Sequence, residues 1–221
     1  MRKSRDTDDD LIWDPDAYDS WYDTDIGKTI DLIETECILS LLIPIKGKKV
    51  LDVGCGTGNF VRKLDALGYD VIGIEPDRAM RAKAIEKGLR CIEGRAEDIP
   101  FPDGSFDAVL SVTSLEFFED KEKAVLEMIR VLKPGGKLVI GTIIGSWREY
   151  YESQGKRRAS VFSKASFPNL DSLISLPGFA SLKTCLFTGP NEKPSFEKER
   201  FGGIPGFACL LFKKPGEKGL R

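Results

Sequence analysis

From Lys48 onward the sequence alternates short apolar runs with segments of helical periodicity, and this alternation constrains the fold more than any other feature. Continuously apolar strands separated by helices are typical of a parallel sheet covered by helices on both faces. The sequence therefore predicts an α/β fold, a three-layer doubly wound sandwich with a mostly parallel sheet. The five predicted strands are KVLDV, YDVIGIE, LRCIEG, FDAVLSVT and KLVIGTI.

Local signals predict where the helices begin and end. Asp77 is expected to cap one helix, and Gly68 and Gly88 are expected to end two of them. DKEKAVLEMIRVLKPGG, residues 120–136, is expected to form a helix that stops at its Pro-Gly pair. Upstream, apolar residues at helical spacing predict an amphipathic helix from Ile26 to near Pro44. Near the end, ASLKTCLF and GFACLLFKK are expected to pair as antiparallel strands.

Composition excludes several classes of function. The 221 residues are 41% hydrophobic and 31% charged, with a net charge of -2, which suits one ordinary domain without a basic field for nucleic acid. No apolar stretch is long enough to span a bilayer and no signal peptide is recognisable, so we expect a cytoplasmic protein. With 0 histidines, the chain has no histidine zinc site, Ser-His-Asp triad or histidine base. The 5 scattered cysteines are expected to be reduced, and no metal site is predicted.

A glycine-rich turn directly after the first strand points to a cofactor. Gly54, Gly56 and Gly58 lie between that strand and the next helix, and Glu75 ends the second strand about twenty residues later. A carboxylate at that distance can accept both ribose hydroxyls of a nucleoside, as NAD and S-adenosylmethionine both require. Asp52 would repel a pyrophosphate but attract an ammonium or a sulfonium. The residues therefore favour S-adenosylmethionine over NAD.

Four segments resemble the successive motifs of class I S-adenosylmethionine-dependent methyltransferases, most closely the type 11 group of ubiquinone/menaquinone-biosynthesis-type enzymes. The segments are VLDVGCGTGNF, VIGIEPD, GRAEDIPFPDGSFDAVLS and RVLKPGGKLVIGT, which together cover about residues 48–144. The resemblance implies a Rossmann-like, seven-stranded sheet with an antiparallel last strand. It also implies an enzyme that uses S-adenosylmethionine and releases S-adenosylhomocysteine.

The resemblance carries the family's cofactor contacts to named positions. It implies that the glycine turn and Asp52 line the methionine portion, that Glu75 holds the ribose, and that Pro76 and the segment from Gly94 lie against the adenine. Many relatives have aspartate at Arg95 and a histidine pair at Leu115-Glu116, so a histidine base cannot be transferred. The implied cofactor-binding residues are Asp52, Gly54, Cys55, Gly56, Gly58, Glu75, Pro76, Ala96, Glu97, Ser111 and Val112.

Similar methyltransferases fold an N-terminal segment over the cofactor and insert acceptor-recognition elements after the fifth strand. By that resemblance we divide the chain into an N-terminal lid segment and helix, residues 1–45, and a methyltransferase domain, residues 46–221. The acceptor-recognition insertion is expected at about 145–170. The candidate acceptor-binding residues are Trp21, Trp147, Arg148 and Tyr151.

The sequence thus predicts methyl transfer by in-line displacement to a small-molecule acceptor that it does not identify. Positioning can dominate such a reaction, and Glu116, Tyr18 and Tyr22 are the candidates to assist a proton transfer. Three alternatives stay open: an NAD-linked oxidoreductase, an arsenite-type methyltransferase with thiols that meet in space, and a non-catalytic cofactor-binding or scaffold protein. We expect no nucleic-acid partner and no transmembrane segment, with either a monomer or a homodimer.

Overall fold

A computed structural model describes residues 14–42, 48–144, 165–176, 178–186 and 205–216. Its centre is a 7-stranded sheet in the order β3-β2-β1-β4-β5-β7-β6. β1, β2, β3, β4 and β5 run parallel, and β7 runs antiparallel to both of its neighbours. The predicted fold class, a doubly wound sandwich with an antiparallel last strand, is confirmed.

Two helices precede the first strand, and strands and helices then alternate along much of the chain. In order, the elements are α1 Pro15–Asp23, α2 Asp25–Leu42, β1 Lys49–Val53, α3 Asn59–Ala66, β2 Asp70–Ile74, α4 Arg78–Glu86, β3 Cys91–Ile92, β4 Phe106–Val112, a 3-10 helix Leu115–Phe117, α5 Lys121–Arg130, β5 Leu132–Ile143, α6 Leu170–Ile174, β6 Phe179–Leu186 and β7 Pro205–Lys213.

Two apolar layers hold the sheet between the helices. On one face, buried residues of α2, α3 and α4, such as Ile38 and Leu64, pack against inward-facing residues of β1, β4 and β7. On the other face α5 contributes Val125 and Met128 to a second buried cluster. The central strands are apolar on both sides because helices cover both faces, so their sequences are continuous apolar runs rather than alternating ones.

The helix predicted for residues 120–136 ends earlier than expected. α5 stops at Arg130, and the following Leu132–Gly136 belong to β5, where Leu132 pairs with Phe106 before the register shifts to Lys137 beside Ala108. Pro134 has no N–H for a helical hydrogen bond and accounts for the predicted stop. The pairing of Leu132 with Phe106 ends the helix before the proline is reached. The predicted third strand is also shorter than LRCIEG, with only Cys91–Ile92 paired at that edge of the sheet.

The strand order reverses between β1 and β4, which are neighbours in the sheet although two strands separate them in sequence. Ligands of open α/β sheets bind outside the carboxyl ends of the strands at such a point. None of the helices in the described part of the chain is long and apolar enough to cross a membrane. The antiparallel pairing of the last two strands is as predicted, whereas the domain boundary at residue 45 stays a prediction.

Candidate functional site

The glycine turn between β1 and α3 adopts a backbone that favours glycine at three alternate positions. Gly54, Gly56 and Gly58 have φ angles of 73°, 55° and 86°, in the left-handed region where a β-carbon is strained. A β-carbon on Gly54 would lie 2.7 Å from that of Ser114, whereas one on Gly56 would meet only the end of Met80, at 3.4 Å. Close packing against Ser114 therefore requires glycine at position 54. At Gly56, by contrast, the space where a side chain would stand is largely empty, and we call this the open side of the turn.

Glu75 holds this turn against the end of β2. The Gly56 N–H donates to Oε2 of Glu75 over 2.9 Å, and the Asp77 N–H donates to Oε1 over 2.9 Å. Burial raises the pKa of Glu75, and these two hydrogen bonds oppose the rise. Each carboxylate oxygen has a further lone pair, so Glu75 can still accept hydrogen bonds from a ligand's hydroxyls.

Asp52 lies near the carboxyl end of β1, close enough to Glu75 for their charges to interact. Its side chain is buried, and burial, followed by the charge of Glu75, raises its pKa to about 7. A cation bound between two neighbouring buried carboxylates would favour their charged forms. The arrangement therefore favours a positively charged ligand group at the glycine turn, as the sequence predicted from Asp52.

α1 packs over the turn through its acidic residues. The Thr57 hydroxyl donates to Asp19 over 2.6 Å, and Lys87 pairs with the other oxygen of Asp19 at 2.6 Å. Lys83 pairs with Asp16 at 2.8 Å. These contacts join the N-terminal helix to the glycine turn and to α4.

The same helix brings aromatic side chains to the site. The hydroxyls of Tyr18 and Tyr22 are 3.0 Å apart. Burial, with smaller effects from the charges of Glu34, Glu75 and Asp52, raises the pKa of Tyr18 to about 12. Tyr18 therefore lies within the electrostatic influence of both site carboxylates. Trp21 is more exposed, with 40% of its surface accessible, and its ring lies edge-on to Tyr22.

The end of β4 and the residues just after it form the side of the site that packs against Gly54 of the turn. Ser111 and Ser114 share a hydrogen bond of 2.7 Å, and Ser114 donates to the Val53 carbonyl over 3.1 Å. Between them Thr113 has a φ of 48°, an uncommon conformation for a β-branched residue and one that clusters at functional sites. Sequence reasoning missed Ser114, because nothing in the sequence signals its contact with Gly54.

The segment predicted to close on the adenine lies next to β2. A β-carbon on Gly94 would be 3.1 Å from that of Ile74, and Ala96 is buried in the second apolar cluster. Oε1 of Glu97 accepts a hydrogen bond from the backbone of Glu119 over 2.9 Å, and Pro76 is exposed. These positions border the same edge of the sheet as the glycine turn.

Cys55 turns its side chain away from this edge, into the core. Its sulfur is 3.2 Å from that of Cys91, and both cysteines are buried and reduced. Gly73 permits this packing, because a β-carbon there would be 2.4 Å from the Cys55 sulfur. Only the backbone of Cys55 is therefore available to the turn's open side.

The three predicted proton-transfer candidates do not form one group. Tyr18 and Tyr22, both on α1, share a hydrogen bond, whereas Oε1 of Glu116 accepts hydrogen bonds from Thr142 and from the backbone of Ile143 at the end of β5. Three of the predicted acceptor-binding residues, Trp147, Arg148 and Tyr151, lie outside the described residues.

Comparison with known proteins shows which proteins this chain resembles. A family model described as a methyltransferase domain matches residues 51–140. An uncharacterized protein of Methanocaldococcus jannaschii is 29% identical over 205 residues, which are 90% of this chain and 96% of that protein. A demethylmenaquinone methyltransferase of Thermus thermophilus is 44% identical over 101 residues, but these are only 42% of this chain and 46% of the enzyme.

Among solved structures, one from Thermotoga maritima is described as an S-adenosylmethionine-dependent methyltransferase, possibly a histamine N-methyltransferase. It superimposes with a TM-score of 0.73 and is 28% identical, and the match covers 90% of this chain and 95% of that one. The similarity thus extends beyond the segment that carries the glycine turn, β2 and β4.

Proposed function

We propose that this chain is a class I S-adenosylmethionine-dependent methyltransferase that transfers the cofactor's methyl group to a small-molecule acceptor by in-line displacement. A methyltransferase-domain model matches residues 51–140, and a solved S-adenosylmethionine-dependent methyltransferase matches 90% of the chain. The observation that carries the proposal is the pairing of the Gly56 N–H with buried Glu75 beside buried Asp52. The family resemblance, the enzyme class and the cofactor predicted from the sequence are confirmed. The acceptor and each site residue's role are proposals.

The two buried carboxylates of the site, Asp52 and Glu75, suit the positive charges of S-adenosylmethionine. We assign Asp52 and the open side of Gly56 to the methionine portion, whose ammonium and sulfonium compensate the two buried carboxylates. Glu75 accepts the ribose hydroxyls, and Pro76, Ala96 and Glu97 border the adenine. The remaining assigned positions, Gly54, Gly58, Ser111, Val112 and the backbone of Cys55, line the turn and the facing strand end.

The N-terminal segment, residues 1–45, serves in this proposal as a lid and a packed helix. Asp16 and Asp19 anchor α1 to Lys83, Lys87 and Thr57, and Tyr18 reaches the neighbourhood of Asp52. A lid in this place excludes water from the reacting groups, and its aromatic rings stabilise a cation.

Methyl transfer of this kind depends mainly on positioning. When bound, S-adenosylmethionine supplies an electrophilic methyl carbon on a sulfonium. Asp52 and Glu75 orient it, α1 covers it, and the strand end at Ser111–Ser114 borders the approach of the acceptor. Orientation alone lowers a barrier by roughly 7–11 kcal/mol in favourable cases, so these positioning contacts account for a large share of the proposed catalysis.

Calorimetric titration with S-adenosylmethionine, S-adenosylhomocysteine and NAD tests the cofactor assignment. We expect the first two to bind, and Asp52→Asn and Glu75→Gln each to weaken binding at least tenfold. Asp107→Asn is the matched control, because Asp107 pairs with Lys133 at the opposite edge of the sheet. NAD binding in place of the sulfonium cofactor would refute the proposal and support the oxidoreductase alternative.

Methyl transfer from isotope-labelled cofactor tests the enzymatic assignment. The names of two similar proteins suggest two first acceptors to test, demethylmenaquinone and histamine. Tight cofactor binding without turnover on a broad panel of phenols, amines and thiols would favour the non-catalytic binding protein. A cytoplasmic location and the choice between monomer and homodimer stay predictions.

One observation bears on the arsenite-type alternative. Cys55 and Cys91 are 36 positions apart in sequence, yet their sulfurs are 3.2 Å apart. They pack in the apolar layer with Val61 and Leu64, and no group of three or more metal-binding side chains occurs among the described residues. Methyl transfer to arsenite that persists in Cys91→Ser would show that this pair is not required.

A further inference from the structure

Glu116 is a buried carboxyl group with one satisfied oxygen and one unsatisfied oxygen. Only 1% of the residue is exposed. Oε1 accepts hydrogen bonds from the Thr142 hydroxyl, over 2.7 Å, and from the Ile143 N–H. Oε2 is buried and has no hydrogen-bond partner among the described residues. A buried polar atom without a partner is rare in folded proteins, since burial removes its hydrogen bonds to water without replacing them.

The hydrogen bonds and charges around Glu116 do not offset the cost of burying its carboxylate. Burial raises its pKa to about 7, while the two hydrogen bonds to Oε1 and the charge of Lys121 oppose the rise. Because Oε1 already accepts two hydrogen bonds, Oε2 is the oxygen that gains or loses a proton. Such a carboxyl group changes its protonation state near neutral pH, as a general base requires.

Glu116 also lies on the edge of the sheet that carries the cofactor positions. The 3-10 helix that contains it follows Ser114, and Ser114 is the residue that packs against Gly54. Its side chain reaches the end of β5, next to β4 in the sheet. The carboxyl ends of parallel strands meet at one edge, so Glu116 and the glycine turn share that edge.

Glu116 contacts the chain on both sides of residues 145–164, which form most of the predicted acceptor-recognition stretch. Ile143, whose N–H bonds to Oε1, stands just before residues 145–164, and Ser166, whose N–H donates to the Glu116 carbonyl over 2.8 Å, stands just after them. Glu116 therefore contacts a residue just before the predicted acceptor-recognition stretch, about 145–170, and a residue near the end of that stretch.

We propose that Oε2 of Glu116 binds the nucleophilic N–H or O–H group of the methyl acceptor and takes its proton during transfer. This proposal rests on the proposed function. The acceptor's lone pair forms the new bond to the methyl carbon, the electrons of the broken carbon–sulfur bond go to sulfur, and the acceptor's proton passes to Oε2. The carboxylate becomes a carboxylic acid and returns the proton to solvent after product release. The acceptor class is thus a neutral amine or hydroxyl compound, since an anionic group would be repelled.

Binding of small aromatic probes to the S-adenosylhomocysteine-saturated protein tests this contact without turnover. Aniline and phenol offer N–H and O–H groups, and anisole has the same ring without a donor. By ligand-observed NMR we expect aniline and phenol to bind wild type at least tenfold more tightly than anisole. Glu116→Gln should abolish the preference for aniline, because the amide presents N–H donors where Oε2 stood.

Matched variants separate binding at Oε2 from a structural role. Gln keeps an oxygen for Thr142 and Ile143, and Thr142→Val removes one donor to Oε1 while leaving Oε2, so this control should keep the aniline preference. S-adenosylhomocysteine affinity should be unchanged in both variants. For any amine or hydroxyl acceptor that is turned over, Glu116→Gln should lower kcat at least 100-fold and remove the pH dependence of kcat near 7.

Three outcomes would overturn the proposal. Equal binding of aniline and anisole to wild type, or an aniline preference that survives in Glu116→Gln, refutes the contact while the cofactor assignment stands. Failure of wild type to bind S-adenosylhomocysteine refutes the proposed function, and this proposal with it.

Discussion

The Gly56 N–H donates to Oε2 of Glu75 over 2.9 Å, across 19 residues of sequence. This bond joins the glycine turn after β1 to the carboxylate that ends β2, so the backbone and the charge of the site are positioned together. The Gly54 and Cys55 N–H groups reinforce the connection by donating to the Ile74 carbonyl, over 2.9 Å and 3.1 Å. A change in the turn is therefore also a change in the placement of Glu75.

Alanine at Gly56 should damage binding more than folding. Its β-carbon has space beside Met80, but its φ of 55° costs about 1–2 kcal/mol for any residue with a β-carbon. We expect urea unfolding to show a loss of this size and calorimetry to show cofactor binding weakened at least tenfold. Gly104→Ala is the control, because Gly104 has a φ of 68° and open space. If both variants bind the cofactor like wild type, the turn does not contact it.

Cofactor affinity should fall as the solution becomes more acidic. The pKa of Asp52 is raised to about 7, so below that pH the carboxyl is increasingly neutral and attracts a cation less. We expect calorimetric affinity to drop by up to about tenfold per pH unit from pH 7 to pH 5. Asp52→Asn should flatten this dependence and Asp107→Asn should not. An unchanged pH dependence in Asp52→Asn would contradict the assigned role.

Breaking the anchor of α1, the proposed lid, should loosen this helix without unfolding the domain. Asp19→Asn weakens the contacts to Thr57 and Lys87, so hydrogen exchange across residues 15–23 should accelerate. If the lid and the cofactor stabilise each other, affinity should fall about fivefold or more. Asp23→Asn removes an equal charge from an exposed position of the same helix and should change neither measurement. Rapid exchange with full affinity would separate α1 from cofactor binding.

The buried carboxyl of Glu116 should destabilise the fold as pH rises. Its pKa is raised from 4.5 to about 7, so between these values the unfolded chain has lost the proton that the folded chain keeps. Relative to Glu116→Gln, wild type should therefore be most stable below about pH 4.5. It should lose up to about 3 kcal/mol by pH 7. Denaturant unfolding of both proteins at several pH values measures the difference, and a constant difference would show that Glu116 is not desolvated.

The sequence alone determined the features that depend on a few neighbouring residues. Apolar runs and helical periodicity predicted the layered sheet, and Asp77 caps α4 as expected, with its side chain accepting from the Met80 N–H. The left-handed turn at Gly54–Gly58 was also readable, because only glycine adopts such angles without strain. The predicted end of α5, at the Pro-Gly pair, lies a few residues beyond its actual end at Arg130, since pairing of Leu132 with Phe106 extends β5 back through the Pro-Gly segment.

Only the tertiary structure decided which distant side chains meet. Four kinds of contact join residues 26 to 60 positions apart. They are the contact of Ser114 with Gly54, the packing of Cys55 against Cys91, the hydrogen bond from Thr57 to Asp19 and the two hydrogen bonds from β5 to Glu116. Periodicity and turn chemistry extend over a few residues, because backbone angles and local hydrogen bonds generate them. Strand order, register and burial determine the rest, and burial sets the pKa of Asp52 and Glu116.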